Sequence, residues 1–400
     1  MYFFAKNVIL WYNIQIRQQM EATMALKDTL LAASIGATMV AGTHADTPQS
    51  VASSTKPAQT RSMSKAELQE INFKKNYQYL YKNVDGAWFS FGDEEKMRQA
   101  LYDIGSFSMG REVIAGLPEN MEFGSTHFIQ FSLYGGFDVI DDSLKMSTRA
   151  LGKTTNMDTN GTFVSVKDVL FHELMHAYQK KQGIILVDQH PSVDEAMHSF
   201  KLSEAETAAW NKVLSMTTCV SSSSSYFLTP KEVRSLMRED LVSKERQSYK
   251  EAGLKFSAEN EKYFKETDSK YLMQQALIAC HGNYDLAQKK LVGEEIKKLM
   301  NDSYSLWSTT YDKQTLNVTE GLCKEGMLSE QGNSVAYQKM LNHYKKNYDL
   351  NPQDIANVRL QTKYEDQIAQ IKISVGQKNQ NSNYANPYPS QLSQRYNNSR

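Results

Sequence analysis

The sequence predicts an α+β fold, in which a short mixed sheet packs with two helices and a mainly α-helical domain follows. Three observations support this class. Residues 128–134 are aromatic and β-branched with one apolar face, which is typical of a strand. Residues 165–183 carry the start and stop signals of a helix, and residues 203–210 also have helical character. From 230 to 375, apolar residues recur at three-to-four spacing, which predicts a series of helices.

Length and composition limit the classes of protein to consider. The chain has 400 residues, enough for two or three domains, and 45 basic residues balance 45 acidic ones. This neutral balance gives no reason to expect nucleic acid as a partner. Cys219, Cys280 and Cys323 are far apart and form no metal-binding spacing, so we expect buried thiols, with one disulfide plus a free thiol as the alternative.

The N-terminal segment 1–64 is predicted to be a leader and a linker. Residues 1–19 are too short and interrupted to cross a bilayer, so no stable membrane span is expected. Residues 24–45 resemble a signal peptide that ends at Ala45. The protein is exported, to the periplasm or outside the cell, if that segment is used, and cytoplasmic otherwise. Residues 46–64 are rich in Ser, Thr, Pro and Gln, as linkers are.

The elements between 65 and 162 are predicted to be short. Residues 65–117 have helical patterns with Ser64 as a cap. The strand at Phe128–Tyr134 is expected to end at Gly135-Gly136. Further short strands are expected at 139–140 and 144–146, before a loop rich in Gly, Asn and Thr.

The helix predicted at 165–183 has a clear beginning and end. Ser165 and Asp168 form a capping-box pattern, and Gly183 is a typical stop. Lys180 and Lys181 lie in the last turn, where the helix dipole favours cations. Apolar residues at helical spacing predict a broad buried stripe that comprises Val166, Val169, Leu170, Leu174 and Ala177.

This helix contains the sequence His-Glu-Leu-Met-His at 172–176. His172 and His176 are four residues apart and share a helix face, so their imidazoles can bind one Zn²⁺. Glu173 is then a candidate general base for a zinc-activated water. The alternative is two histidines that are satisfied within a core, with a glutamate between them by chance.

A zinc site with this motif needs a third protein ligand. The metzincin extension requires a glycine at position 179 and a histidine at 182, but the chain has Gln179 and Gln182. The helical segment 203–210 offers Glu204 and Glu206, whose side chains point to nearly opposite sides of a helix. Ser203 and Glu206 also fit a capping box, which would make Glu206 structural. Glu195 is a weaker third candidate.

The sequence H-E-L-M-H-A-Y-Q, followed by a helix with x-E-A, resembles the gluzincin metallopeptidases, and more closely small bacterial metallopeptidase domains with an H-E-L-x-H-A-x-Q helix. The resemblance covers roughly residues 100–215. It implies a zincin-like fold, Zn²⁺ bound by His172, His176 and Glu204, and hydrolysis of a peptide or protein substrate with Glu173 as the base. Gluzincins often have an acid four residues after the ligand glutamate, where this chain has Ala208, so Glu206 stays a rival ligand.

The predicted organisation follows from these elements. A metallopeptidase domain is expected at 65–217, a Ser-rich linker at 218–229, a helical domain at 230–375 and a disordered tail at 376–400. Thr229, Pro230 and Glu232 predict a well-capped start for the first helix of the helical domain.

Three functions remain open at this point. They are a zinc metallopeptidase, an inactive zincin-like scaffold, and a protein-interaction module formed by the helical domain. A zinc metallopeptidase also needs a residue that stabilises the oxyanion, and the candidates are His190, His198 and Tyr226. His281 and His343 are interpreted as ordinary surface or core histidines. The sequence gives neither the cleavage preference nor the oligomeric state.

Overall fold

The structure is a computed structural model of the whole chain. The described residues are 63–86, 91–126, 135–147, 156–157, 163–217, 228–301 and 306–382. The signal-like segment 24–45, the predicted strand Phe128–Tyr134, Cys219, the serine run at 221–225 and Tyr226 therefore lie outside the described residues.

Three helices begin the described part of the chain. They are α1 (Lys65–Gly86), α2 (Phe91–Gly105) and α3 (Ser108–Ala115). Ser64 caps α1, because the N–H of Glu67 donates to Ser64 Oγ at 3.2 Å and the N–H of Ser64 donates to Glu67 Oε2 at 2.7 Å. The prediction of helices over 65–117, with Ser64 as the cap, is confirmed.

A small mixed sheet follows these helices. It consists of β1 (Glu122–Thr126), β2 (Gly135–Asp138) and β3 (Ser143–Ser147), in the order β1-β3-β2. β1 is parallel to β3, and β2 is antiparallel to β3. Two further strands, β4 (Asn156–Met157) and β5 (Phe163–Val164), form an antiparallel pair. The α+β class with a short mixed sheet is therefore confirmed.

The sheet differs from the sequence prediction in two details. Gly135 and Gly136 lie within β2, so they do not end a strand. Val139 and Ile140 were predicted as a strand and lie in a turn, because Asp138 Oδ1 accepts the N–H of Ile140 at 2.8 Å and reverses the chain there. The strand predicted at 144–146 is confirmed as β3.

Helix α4 (Val166–Gln182) occupies the centre of this region. Ser165 and Asp168 form both hydrogen bonds of the capping box, and Gly183 ends the helix in the left-handed conformation with φ of 70°. The predicted bounds and caps are confirmed. Val166 of the predicted stripe is half-buried and its other four residues are buried, and Phe171 and Met175 beyond the stripe are fully buried as well.

After a short 3₁₀ turn at Val187–Gln189, helix α5 spans Val193–Thr217. The predicted helical segment 203–210 is the middle of this longer helix, which packs against α4. Ser192 and Glu195 cap its beginning, with the N–H of Ser192 donating to Glu195 Oε2 at 2.8 Å.

The rest of the described chain is helical, as predicted. Its elements are α6 (Pro230–Arg238), α7 (Leu241–Glu251), α8 (Ala258–Thr267), α9 (Ser269–Ala279), α10 (Tyr284–Asn301), α11 (Leu306–Glu325), α12 (Ser334–Tyr348), α13 (Pro352–Ala356), a 3₁₀ turn at Thr362–Tyr364, and α14 (Glu365–Ser382). Thr229 and Glu232 form the predicted capping box before α6. Helix α14 continues past residue 375, where the helical domain was expected to end, to Ser382.

Helices from both predicted domains bury side chains together. One cluster of buried apolar residues extends from Leu80 through Leu174 and Trp210 to Tyr344. Helix α5 packs against α10 and α11 as well as against α4. The division into domains at 65–217 and 230–375 stays a prediction. Among the described helices, none is long and apolar enough to cross a membrane.

Candidate metal centre

The imidazoles of His172 and His176 meet the carboxylate of Glu204 where α4 packs against α5. The two Nε2 atoms are 3.1 Å apart. Glu204 Oε2 lies 3.3 Å from His172 Nε2 and 3.4 Å from His176 Nε2. The spacing of four residues places both histidines on one face of α4, and the packing of α5 brings the carboxylate to that face.

The arrangement of these three atoms fits a zinc ion. Zinc–nitrogen and zinc–oxygen bonds of about 2.0–2.1 Å at tetrahedral angles place donor atoms about 3.3 Å apart. The observed separations of 3.1–3.4 Å are close to this value. Glu204 Oε2 is buried and accepts no hydrogen bond from the described residues. A buried carboxylate oxygen needs such compensation, and a cation would provide it.

The cluster is closed toward the core and open on one side. The side chain of His176 is only 10% exposed, whereas His172 is 18% exposed and Glu204 is 19% exposed. A catalytic zinc site keeps one position free for water or substrate, so partial access of this kind is needed. In the described part of the chain, these three residues are the group with metal-ligand geometry.

The histidines and carboxylates of the cluster shift one another's pKa values. Burial by itself lowers the pKa of His176, but the nearby carboxylates of Glu204 and Glu173 outweigh this effect and raise the pKa to about 9. Burial alone would raise the pKa of Glu204, but the imidazoles of His176 and His172 hold it well below its usual range. The site therefore favours an anionic Glu204 beside a positive charge, which can be a proton or a metal ion.

Glu173 lies between the helix and the sheet. Its Oε2 accepts the backbone N–H of Phe137 in β2 at 2.8 Å, and the residue is 9% exposed. Gly135 permits this contact, since a Cβ there would lie 2.9 Å from Val169 Cγ1 and 3.5 Å from Glu173 Cγ. A strand of the sheet thus holds the carboxylate of the predicted general base.

Behind His176 lies a residue that the sequence analysis did not assign. Gln179 is fully buried, and its Oε1 is 2.9 Å from His176 Nδ1. Its Nε2 donates to Glu206 Oε2 at 2.9 Å and to the carbonyl of Ser203 at 3.1 Å. The sequence signals for it were its place as the last residue of the H-E-L-x-H-A-x-Q pattern and its position three residues after His176, on the same helix face.

Glu206 points away from the imidazoles of His172 and His176, into a network of donors from α12. His343 Nε2 lies 3.0 Å from Glu206 Oε1, and the hydroxyls of Tyr344 and Tyr348 donate to the same carboxylate. Burial alone would raise the pKa of Glu206, but His343, Tyr348 and Gln179 lower it. The sequence interpretation of His343 as an ordinary histidine missed this contact, because 137 positions separate the partners.

The other sequence candidates lie elsewhere. Glu195 caps α5 and also accepts the N–H of Asn333 at 2.8 Å. His198 has both ring nitrogens engaged, with Tyr337 Oη at 2.8 Å and the carbonyl of Val358 at 3.0 Å. His190 is exposed and has a left-handed backbone with φ of 48°. The structure therefore brings together His172, His176 and Glu204, with Glu173 on the same helix, and not these candidates.

A cavity of about 580 Å³ lies along α5 and α14, lined by residues that include His198, Lys201 and Arg359. None of its lining residues belongs to the His172, His176 and Glu204 cluster. The donor chemistry, rather than this cavity, therefore identifies the candidate site.

Comparisons with family models, curated proteins and solved structures give no match to this chain. The resemblance to gluzincins consequently rests on the motif residues quoted above.

Proposed function

We propose that the protein is a zinc-dependent metallopeptidase with His172, His176 and Glu204 as the zinc ligands. The single observation that supports this most is the convergence of two imidazole Nε2 atoms and one carboxylate oxygen within 3.4 Å of one another, where that oxygen accepts no hydrogen bond from the part of the chain that the structure describes. Two histidines from an H-E-x-x-H helix and a glutamate from the next helix form a donor set that zinc prefers.

Zinc bound there would polarise a peptide carbonyl and allow a water molecule to lose a proton near neutral pH. Glu173 accepts that proton as the water attacks the carbonyl carbon, and then delivers it to the nitrogen of the leaving amine. The hydrogen bond from Phe137 N–H holds the carboxylate of Glu173 in a fixed orientation for both transfers.

The proposed substrate is a peptide or protein in an extended conformation. Among the described strands, β2 is at one edge of the mixed sheet, and its Phe137 contacts Glu173 directly. An extended chain that adds to a sheet edge is held by main-chain hydrogen bonds. β2 is therefore the strand that we propose aligns the substrate beside the general base.

The first test is the zinc content of the purified full-length protein. We expect about one zinc ion per chain after reconstitution, and loss of that zinc in His172→Ala and Glu204→Gln, since each removes one of the few ligands that a zinc site has. His190→Ala and Glu195→Gln are matched controls, because they change the same residue types outside the cluster and should keep the zinc. A wild-type protein without zinc would overturn the proposal.

The second test is peptide hydrolysis. Zinc-loaded wild-type protein and Glu173→Gln are incubated with a mixed peptide library, and new termini are measured by mass spectrometry. We expect cleavage by the wild type and a decrease of about 10²- to 10⁴-fold in the variant, as for loss of a general base. Equal zinc content without cleavage by either protein would instead support the inactive scaffold.

A further inference from the structure

We propose that Glu206 is a positioning residue, which orients His176 toward the metal position through the side-chain amide of Gln179. This inference rests on the proposed zinc function. It gives a role to the buried polar network that links α4 and α5 to α12, which the catalytic mechanism does not use.

Hydrogen bonds from four side chains surround the carboxylate of Glu206. The residue is fully buried, and a carboxylate can only accept hydrogen bonds. Its partners are Gln179 Nε2 at 2.9 Å, Tyr344 Oη at 3.3 Å, Tyr348 Oη and His343 Nε2 at 3.0 Å. Trp210 Nε1 donates to Tyr348 Oη at 2.9 Å and so fixes that hydroxyl in turn. The carboxylate is consequently held in one position.

The side-chain amide of Gln179 can point in one direction only. Its NH₂ group faces two acceptors, the carboxylate of Glu206 and the carbonyl of Ser203 at 3.1 Å. Reversing the amide would place its oxygen against both of these oxygen atoms, with no proton between them. Because the site is fully buried, no such reversal can be compensated by solvent. Gln179 Oε1 must therefore face His176.

Gln179 in turn orients the imidazole of His176. Gln179 Oε1 is an acceptor 2.9 Å from His176 Nδ1, so Nδ1 carries a proton and donates it. The lone pair of the neutral imidazole is then on Nε2, which lies 3.1 Å from His172 Nε2 and 3.4 Å from Glu204 Oε2. Hydrogen bonds of this kind select which ring nitrogen binds a metal and keep the ring in place.

The experiment uses full-length variants of Gln179 and Glu206, which together form the proposed relay to His176. Gln179→Met has a similar volume but can neither accept nor donate a hydrogen bond. Glu206→Gln removes the carboxylate that accepts from the Gln179 amide, so the direction of that amide is fixed less firmly. The double variant Gln179→Glu with Glu206→Gln exchanges acceptor and donor between the two positions, so the new carboxylate accepts from His176 and the glutamine introduced at 206 donates to it, while the carbonyl of Ser203 loses its donor. Ser199→Ala is the control, since it removes a buried hydrogen-bonding side chain of α5 that forms a hydrogen bond with neither Gln179 nor Glu206.

Two quantities are measured on each variant. The zinc dissociation constant is obtained by competition with a chelator. The proton on His176 Nδ1 is followed by NMR in the metal-free protein, where a hydrogen bond to Gln179 keeps it protected from exchange. We expect the zinc dissociation constant to rise about 10-fold or more in Gln179→Met and in Glu206→Gln, as is typical when an outer partner of a metal-bound histidine is lost. The protected proton should disappear in Gln179→Met.

The double variant should recover part of the zinc affinity that the two single variants lose, and Ser199→Ala should leave the zinc affinity unchanged. If Glu206 has a purely structural role, Glu206→Gln lowers the free energy of unfolding, and the double variant does not recover the zinc affinity. Unchanged zinc affinity and an unchanged Nδ1 proton in Gln179→Met would overturn the inference, even if Glu206→Gln fails to fold. If the wild type binds no zinc, the proposed function fails separately, and the Nδ1 proton still decides whether the relay orients His176.

Discussion

Glu204 and Glu206 lie on the same helix, yet their carboxylates have different surroundings. Glu204 Oε2 has two imidazole nitrogens within 3.4 Å, and none of the described residues gives it a hydrogen-bond donor of suitable geometry. Glu206 is fully buried, and hydrogen-bond donors from two other helices surround it. The environment of Glu204 is typical of a carboxylate that binds a cation. The environment of Glu206 is typical of a buried carboxylate whose hydrogen bonds are all made within the protein.

His198 illustrates how burial makes a single residue sensitive to pH. Its Nε2 donates to the carbonyl of Val358, and its Nδ1 accepts the hydroxyl of Tyr337. Burial lowers the pKa of His198, and Arg359 lowers it further, against the opposing charges of Asp194 and Glu195. The folded protein thus favours the neutral ring.

The expected consequence is a loss of stability in mild acid. Below the ordinary histidine pKa of about 6.5, the unfolded chain binds a proton that the folded chain excludes, so unfolding becomes easier as the pH falls toward the lowered folded pKa. Above pH 6.5, the His198 ring is neutral in both the folded and the unfolded chain, so it causes no loss of stability there. Urea unfolding of wild type and His198→Gln between pH 5 and 8 measures it. We expect the wild type to lose more stability than the variant, and parallel curves would contradict the prediction.

At the level of elements, α4 depends on close contact with β2. The capping box of Ser165 and the left-handed Gly183 define where the helix begins and ends. The distance between helix and strand depends on Gly135, because a Cβ there would lie 2.9 Å from Val169 Cγ1 and 3.1 Å from Met146 Sδ. Only a residue without a side chain lets Phe137 N–H reach Glu173 at 2.8 Å.

Gly135→Ala should therefore separate β2 from α4. We expect the free energy of unfolding to fall by about 1–3 kcal/mol, as for overpacked cores. Peptide cleavage should fall as well, because Glu173 loses its backbone donor, while zinc content should not change. Gly124→Ala in β1 is the matched control, since a Cβ there meets no atom within 4 Å. Chemical denaturation and the library assay measure both effects, and equal results for the two variants would refute the packing argument.

Across the whole molecule, buried polar contacts connect α5 to the helices that follow it. Lys201 is 2% exposed and its Nζ lies 2.8 Å from Asp312 Oδ1 of α11. The same ammonium group donates to the carbonyl of Arg359 at 2.9 Å, and Gln361 N–H donates to Asp312 Oδ2 at 2.9 Å. This ion pair therefore ties α5, α11 and the segment after α13 together.

Removing one partner of the Lys201–Asp312 ion pair should lower the free energy of unfolding. Lys201→Met leaves the carboxylate of Asp312 buried without its cation, and we expect a loss of about 3–5 kcal/mol of stability. The double variant Lys201→Met with Asp312→Leu should be less destabilised than the single one, because no isolated charge remains. Thermal and urea unfolding measure both. A double variant that is less stable than Lys201→Met would contradict the expectation.

Short-range signals predicted much of this fold. The bounds of α4 follow from Ser165, Asp168 and Gly183, which act on backbone groups only a few residues away, and the structure confirms them. The same holds for Thr229 and Glu232 at the start of α6. The turn at Val139 was mispredicted as a strand, because a hydrogen bond from Asp138 outweighs the strand preference of a short apolar pair.

The sequence by itself determined the helix of His172, Glu173 and His176, because both its caps and its four-residue spacing are local. Only the tertiary structure decided which glutamate lies beside the imidazoles, and that Gln179 and Glu206 stand behind His176. His343 reaches Glu206 across 137 positions of sequence. Contacts of this kind depend on how helices pack, and packing is set by the complementary shapes of many buried side chains rather than by any local pattern.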